Sequence, residues 1–143
     1  KLDNANDART AFDSTWFIKP TKDLTIALQQ NLGEDEKTSV HPDRLGATGH
    51  WYGLGIQPKY NFNDKYSLGA RYEWFSDLDG ARTGVSHIQN GLSLAPAVNL
   101  SESLVFRVEY RYDWSNQLIF ETADGRFSKG ETSKVSTEFI YKF

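Results

Sequence analysis

Hydrophobic and polar residues alternate along nearly the whole chain, and this period of two predicts β-strands rather than helices. Seven segments carry the alternation, at residues 11–19, 24–32, 51–60, 65–75, 86–98, 104–114 and 134–143. Most of them exceed the ~5–6 residues of an average globular strand. Their length matches the ~9–11 residues with which a tilted strand crosses a lipid bilayer.

The alternation divides each segment into two faces of different chemistry. The apolar face consists of the even-numbered residues of the first six segments and the odd-numbered residues of the last, and it contains no charged residue. The polar face consists of the complementary positions and carries the charges. Because an Arg or Lys facing lipid at the bilayer midplane costs ~2–4 kcal/mol, a sheet that faces a membrane must have such a charge-free side.

The connections between the segments alternate between short and long. The links Pro20–Asp23, Asn61–Asp64 and Asn99–Ser103 are short, whereas the links 33–50, 76–85 and 115–133 are long and polar. Transmembrane β-barrels have this asymmetry, with short periplasmic turns and longer extracellular loops.

Aromatic residues make up 14% of the chain and gather at the ends of the segments. The predicted membrane-interface residues are Trp51, Trp74 and Trp114 near the long loops, and Tyr60, Tyr66 and Phe143 near the short turns. Two aromatic girdles are expected where a barrel meets the two membrane surfaces. The sequence therefore predicts an all-β antiparallel transmembrane β-barrel in contact with membrane lipid and lipopolysaccharide. A soluble β-sandwich, which also alternates, remains the alternative fold.

The number of strands has a consequence for the barrel. We interpret residues 1–10 as the remnant of an extracellular loop and residues 1–143 as one transmembrane segment of about seven strands. A single-chain bacterial barrel has an even number of strands with both ends periplasmic. We therefore expect these strands to form an arc of a larger barrel, completed by the remaining strands of the same precursor or by other chains.

Composition excludes several classes of function. The net charge of −3 offers no basic surface for nucleic acid. The absence of cysteine excludes disulfides and thiolate metal sites. Runs of apolar residues never exceed three, so the chain contains no helical membrane span of ~20 residues.

The stretch from Lys65 to Gly84 resembles a strand and loop of the β-barrel porin-2 family, also called OmpL-like. The matching residues are Gly69, Arg71, Glu73, Phe75, Asp77, Asp79, Gly80, Arg82, Thr83 and Gly84. The resemblance covers roughly residues 50–143. The closing Phe143 resembles the C-terminal signal that the outer-membrane assembly machinery reads. Membership would imply a bacterial outer-membrane location and passive diffusion of small hydrophilic solutes or ions.

Charges of alternating sign on the polar face are the candidate pore lining. They are Lys59, Arg71, Glu73, Arg107, Glu109, Arg111, Asp113 and Glu138. Residues i and i+2 of a strand share one face, and neighbouring strands extend such pairs into a network. A network of this kind could set the electric field of a water-filled lumen. It could also only make the wall more rigid, and both interpretations remain open.

We expect no catalytic residue and no cofactor. The segment 86–91 is similar to the His-x-Ser-Asn-Gly motif of outer-membrane phospholipase A, but Gln89 stands where the nucleophilic serine is needed. Asp77 and Asp79 are weak candidates for a Ca²⁺ site, because no glutamate follows at the EF-hand spacing. The alternative function is structural: a membrane anchor, or a sleeve around a partner protein.

Overall fold

The computed structural model describes residues 7–143, which form one antiparallel sheet of seven strands in sequence order. The strands of this sheet are β1 (Arg9–Ile18), β2 (Leu24–Asp35), β3 (Gly49–Asn61), β4 (Tyr66–Asp77), β5 (His87–Asn99), β6 (Leu104–Ser115) and, after a small hairpin, β9 (Glu131–Tyr141). The hairpin consists of β7 (Phe120–Glu121) and β8 (Phe127–Lys129), which pair only with each other. A 3₁₀ helix, Pro42–Arg44, lies in the β2–β3 loop.

The seven predicted strands are confirmed, but several begin or end at other residues. Pairing continues past the hydrophobic alternation: Arg9 pairs with Asp35, Asp35 with Gly49, and Trp114 with Glu131. The boundaries differ because backbone hydrogen bonds, rather than side-chain hydrophobicity, decide where a strand ends. Residues 1–6 of the predicted loop remnant 1–10 lie outside the described residues, and residues 9 and 10 belong to β1.

The longer strands carry charge on the apolar side only near the long loops. Glu34 pairs in register with His50, and a carboxylate oxygen of Glu34 lies 3.8 Å from His50 Nδ1. At the same end of the sheet, Tyr112 donates a hydrogen bond to the Glu131 carboxylate. On the apolar side, the charged residues therefore lie next to the long loops, and an uncharged band extends from them toward the short turns.

The sheet is a single layer with almost no hydrophobic core. In residues 7–143 the only buried hydrophobic residues are Trp51 and Val105. The apolar face is open instead, with Trp16 67%, Leu54 55% and Phe139 68% exposed. A β-sandwich would bury this face against a second sheet. No second layer covers it in the described part of the chain, so the soluble-sandwich alternative finds no support.

The sheet is also open at both edges. Within residues 7–143, β1 pairs only with β2 and β9 pairs only with β6, so these strands do not close into a barrel. The predicted arc is therefore seen as a seven-stranded sheet without a closed ring. Across the described residues, every helix is too short or too polar to span a membrane.

Candidate functional site

A charged cluster crosses three neighbouring strands on the polar face. In register, Glu73 of β4, Gly91 of β5 and Asp113 of β6 form one row. The next row consists of Arg71, Ser93 and Arg111. Because β5 contributes only small residues here, the long side chains of β4 and β6 can meet above it.

The close approach makes glycine necessary in the centre of this cluster. A Cβ atom added to Gly91 would lie 2.7 Å from Asp113 Oδ1 and 2.8 Å from Arg111 Nη2. Such distances are too short for contact between these atoms. The glycine therefore provides the space that the charged side chains occupy.

Arg111 is fully engaged by two carboxylates. Its Nε donates to Asp113 Oδ2 at 2.8 Å and its Nη2 donates to Asp113 Oδ1 at 2.7 Å. Its Nη1 donates to Glu73 Oε2 at 2.6 Å. Two parallel bonds between a guanidinium and a carboxylate form a strong and directional pair. Arg111 consequently links β6 to β4 across β5.

Arg71 lies in the same cluster but is held much more loosely. Its Nε is 3.6 Å from Glu73 Oε2, and its Nη2 is 3.8 Å from Glu109 Oε1. Both distances exceed hydrogen-bond length. The Nε atom is buried and has no hydrogen-bond partner. The Nη groups of Arg71 thus keep unused donors on the polar face, whereas the Nε donor is out of reach.

The remaining predicted lining residues are separate from this cluster. Arg107 pairs with Glu138, its direct cross-strand neighbour on β9. Lys59 of β3 makes no ion pair with any residue that the structure describes. Of the eight predicted residues, five therefore form the cluster, two form a separate pair, and Lys59 stands apart. Whether they line a pore stays a prediction.

Among the concavities on the polar face, two lie beside Arg71. The larger, of about 750 Å³, opens toward the short turns, and the smaller, of about 320 Å³, lies over β1 to β4. Lys59 and Arg71 line both of them. These two cations are therefore placed where a solute on the polar face could reach them.

Trp51 corrects one of the predicted interface positions. Its ring is only 3% exposed and lies on the polar face, the side to which its odd number assigns it. Trp51 Nε1 donates to Asn31 Oδ1 at 3.1 Å, and the guanidinium carbon of Arg82 lies 5.8 Å from the ring centroid. A Cβ atom at Gly33 would come within 2.3 Å of the ring. Trp51 is therefore buried on the polar face, away from the apolar face on which a girdle residue would lie.

Four of the other predicted girdle residues lie on the apolar face of their strands: Tyr60, Tyr66, Trp74 and Trp114. The fifth, Phe143, lies just beyond the end of β9. Near the long loops, Trp114 stacks on Tyr112 with ring centroids 5.4 Å apart, and Trp74 is in the same region. Near the short turns, Tyr60 meets Phe62 edge-on at 5.1 Å. Tyr66 and Phe143 are exposed at that end. Contact of these residues with a membrane surface stays a prediction.

The β2–β3 and β4–β5 loops join over the upper end of the polar face, and Asp79 connects them. Its backbone oxygen accepts from Val40 N at 2.7 Å, and its Oδ2 accepts from His50 N at 3.0 Å. Its Oδ1 lies 2.6 Å from Arg44 Nη2. This connection could not be predicted from the sequence, because no local pattern relates residues 40 and 79.

Asp77 organises the tip of the β4–β5 loop. Its Oδ2 accepts from the backbone N of Arg82 at 3.1 Å, and from the N and Oγ1 of Thr83 at 2.8 Å each. Protein donors therefore engage Asp77 Oδ2 and the oxygens of Asp79, the two weak Ca²⁺ candidates, whereas the buried Asp77 Oδ1 has no hydrogen-bond partner among the residues described. Throughout residues 7–143, no three His, Asp or Glu side chains are grouped so that they could hold a metal ion.

Comparison with known proteins gives one match. The sequence model of the family described as "putative beta-barrel porin-2, OmpL-like" matches residues 1–143. The match is longer than the stretch of roughly residues 50–143 on which the resemblance was first seen. No curated protein and no solved structure matches the chain.

Proposed function

The chain belongs to the β-barrel porin-2, OmpL-like family, and on this premise we propose that it forms part of the wall of a diffusion channel in the bacterial outer membrane. The channel would pass small hydrophilic solutes or ions. The observation that carries the proposal is the contrast between the two faces of one uncovered sheet.

The apolar face supports a position against lipid. Its aromatic and aliphatic side chains are open to the surroundings from β1 to β9. Exposed apolar surface costs roughly 25 cal/mol per Å² in water, and soluble monomers rarely expose large continuous patches of it. Hydrocarbon would cover this face without a second protein layer. The charged side chains that share the apolar side, at residues 34 and 131, lie near the long loops, where a membrane would end.

The polar face supports a hydrated passage. The side chains of Arg71, Glu73 and Glu109 keep about a third of their surface exposed. Lys59 has no ion partner among the described residues, and the free donors of Arg71 also need a polar partner. Water in a lumen would satisfy these groups, whereas a tightly packed apolar filling would leave them unsatisfied.

The two open edges support a larger ring. β1 and β9 each carry an unpaired edge of backbone donors and acceptors in the described sheet. Such edges are not viable in hydrocarbon, where every backbone polar group must be paired. We therefore propose that further strands, from the same precursor or from other chains, complete the barrel.

Single-channel recording tests this function. Full-length protein is folded in detergent, its folded state is verified by resistance to heat unfolding, and it is inserted into a planar lipid bilayer. We expect stepwise increases in conductance in KCl solution. Folded, inserted protein that carries no current would contradict the channel and would favour an anchor or a protein sleeve.

A further inference from the structure

We propose that Arg71 and Lys59 form a binding subsite for the oxyanion group of a small solute, a carboxylate or a phosphate. The inference rests on the proposed channel and deepens it, because it makes small organic or inorganic anions the solute class that the polar face retains. It follows from which cations on this face are already occupied and which are not.

Two of the arginines on the polar face already hold short intramolecular ion pairs. Arg111 uses three of its N–H groups on Glu73 and Asp113, at 2.6 to 2.8 Å. Arg107 is paired with Glu138 directly across the β6–β9 ladder. At either of them, a solute anion would compete with an intramolecular carboxylate that already neutralises the guanidinium.

Arg71 differs from both because its contacts are long. Its nearest carboxylate oxygens lie at 3.6 and 3.8 Å, beyond hydrogen-bond length. Its Nε is buried, so the Nη groups are the donors that a solute can reach. The nearer carboxylate belongs to Glu73, whose charge Arg111 already neutralises. An arginine side chain presents a planar fork of donors that matches a carboxylate or a phosphate. Arg71 can therefore accept such a group without losing an existing hydrogen bond.

Lys59 provides a second cation beside that fork. It pairs in register with Gly69, two residues before Arg71 on β4, so the two side chains are diagonal neighbours on one face. Diagonal positions on paired strands are roughly 7–8 Å apart, a gap that one oxyanion between two long side chains can bridge. Because Gly69 has no side chain, the space between the two cations stays open.

The larger concavity on the polar face, which we call the groove, surrounds these two cations and favours negative charge. Its lining includes five cations and three acids: Lys22, Lys59, Arg71, Arg107 and Lys142 against Asp23, Asp64 and Glu109. Glu138, outside the lining, pairs with Arg107, so four cations remain against three acids. Ser67 and Asn61 add neutral hydrogen-bonding groups to the same lining. The chain as a whole carries a net charge of −3, so this local excess of cations is not a consequence of composition.

Two measurements on the full-length protein test the subsite independently of each other. The first is titration calorimetry of the folded protein in detergent with inorganic phosphate, and separately with acetate, at constant ionic strength. The second is single-channel recording in KCl with the same additions. We expect binding of both anions and a matching decrease in channel current as the anion occupies the subsite.

Neutral variants at the two positions and a matched control give the decisive comparison. R71Q and K59Q should each weaken phosphate binding by about tenfold or more, since a hydrogen bond to a charged group is lost. The control is K134Q, which removes the same charge from the polar face of β9 but lies outside the groove. Its affinity should stay within about twofold of the parent protein. R71K keeps the charge without the fork, so it should bind with intermediate affinity.

The outcomes separate this inference from the proposed function. Phosphate affinity that is absent, or equal in the parent protein, R71Q and K59Q, overturns the subsite even if the channel conducts. Equal losses in all three neutral variants also overturn it, because the effect would then come from general charge. Site-specific binding without conductance supports the subsite and overturns the channel.

Discussion

A single arginine placed on either face of β3 should distinguish an apolar face that lies against lipid from one that is exposed to water. Ile56 and Gln57 are adjacent, lie near the middle of the strand and point to opposite faces. Ile56 is 42% exposed and pairs in register with Leu28 and Tyr72, so its surroundings are apolar. Gln57 lines the concavities of the polar face. We predict that Ile56→Arg destabilises the membrane-inserted protein strongly and that Gln57→Arg does not.

The magnitude follows from the position of the substitution. An arginine on the lipid face near the bilayer midplane costs about 2–4 kcal/mol, which corresponds to a roughly 30- to 900-fold change in the unfolding equilibrium. An arginine on a hydrated face should change stability by no more than about 0.5 kcal/mol. If the apolar face were exposed to water instead, Ile56→Arg would also be nearly neutral, because the new charge would remain solvated.

The assay is reversible denaturant unfolding of the full-length protein in lipid vesicles, followed by tryptophan fluorescence. The two variants differ from the parent by the same added charge, so net charge cannot explain a difference between them. Equal free energies of unfolding for Ile56→Arg and Gln57→Arg would refute the assignment of the apolar face to lipid.

Three further predictions concern the polar face and the loops. Gly91→Ala should lower the free energy of unfolding by about 1–3 kcal/mol, because its Cβ must displace the charged cluster. Gly53→Ala is the control and should be tolerated, since the nearest neighbour of its Cβ would be 3.6 Å away. Denaturant unfolding measures both. Asp79→Asn should make the β2–β3 loop open about tenfold more often, because the ion pair with Arg44 is lost. Amide exchange at residues 38–40 should become faster while exchange in the strands is unchanged. Equal exchange rates at residues 38–40 in the variant and the parent would contradict the connection. Hydrogen bonds from Thr122 and Arg126 lower the pKa of Asp124, so the β7–β8 hairpin should be stabilised at neutral pH and lose this contribution as the pH falls through the lowered pKa. NMR titration should show that the pKa of Asp124 rises in Thr122→Val.

The strands and their faces could be predicted because both follow from the alternation of hydrophobic and polar residues within each short segment. Ile56 and Gln57 are assigned to opposite sides by parity alone, and the structure agrees. The same parity placed Trp51 on the polar side, although its position near a loop suggested a girdle residue. For that tryptophan, the alternation was a better guide than proximity to the end of a strand.

The different contacts of Arg71 and Arg111 could not be predicted from the local sequence. Arg71 and Arg111 both stand two residues from an acid on their own strand, and both looked equivalent. They differ because Arg111 reaches across Gly91 to a second carboxylate on β4, a contact between residues 38 positions apart. Such contacts depend on the register of three strands together, and no short stretch of sequence specifies that register.

The bridge from β6 to β4 has a geometrical consequence for a closed barrel. Neighbouring hairpins in a barrel are staggered along the axis, and the total stagger, or shear, together with the number of strands sets the tilt and the radius. A salt bridge that spans an intervening strand ties three strands at one fixed stagger, since sliding any one of them would break the Arg111 contacts. The cluster would therefore help to set how wide the barrel can be.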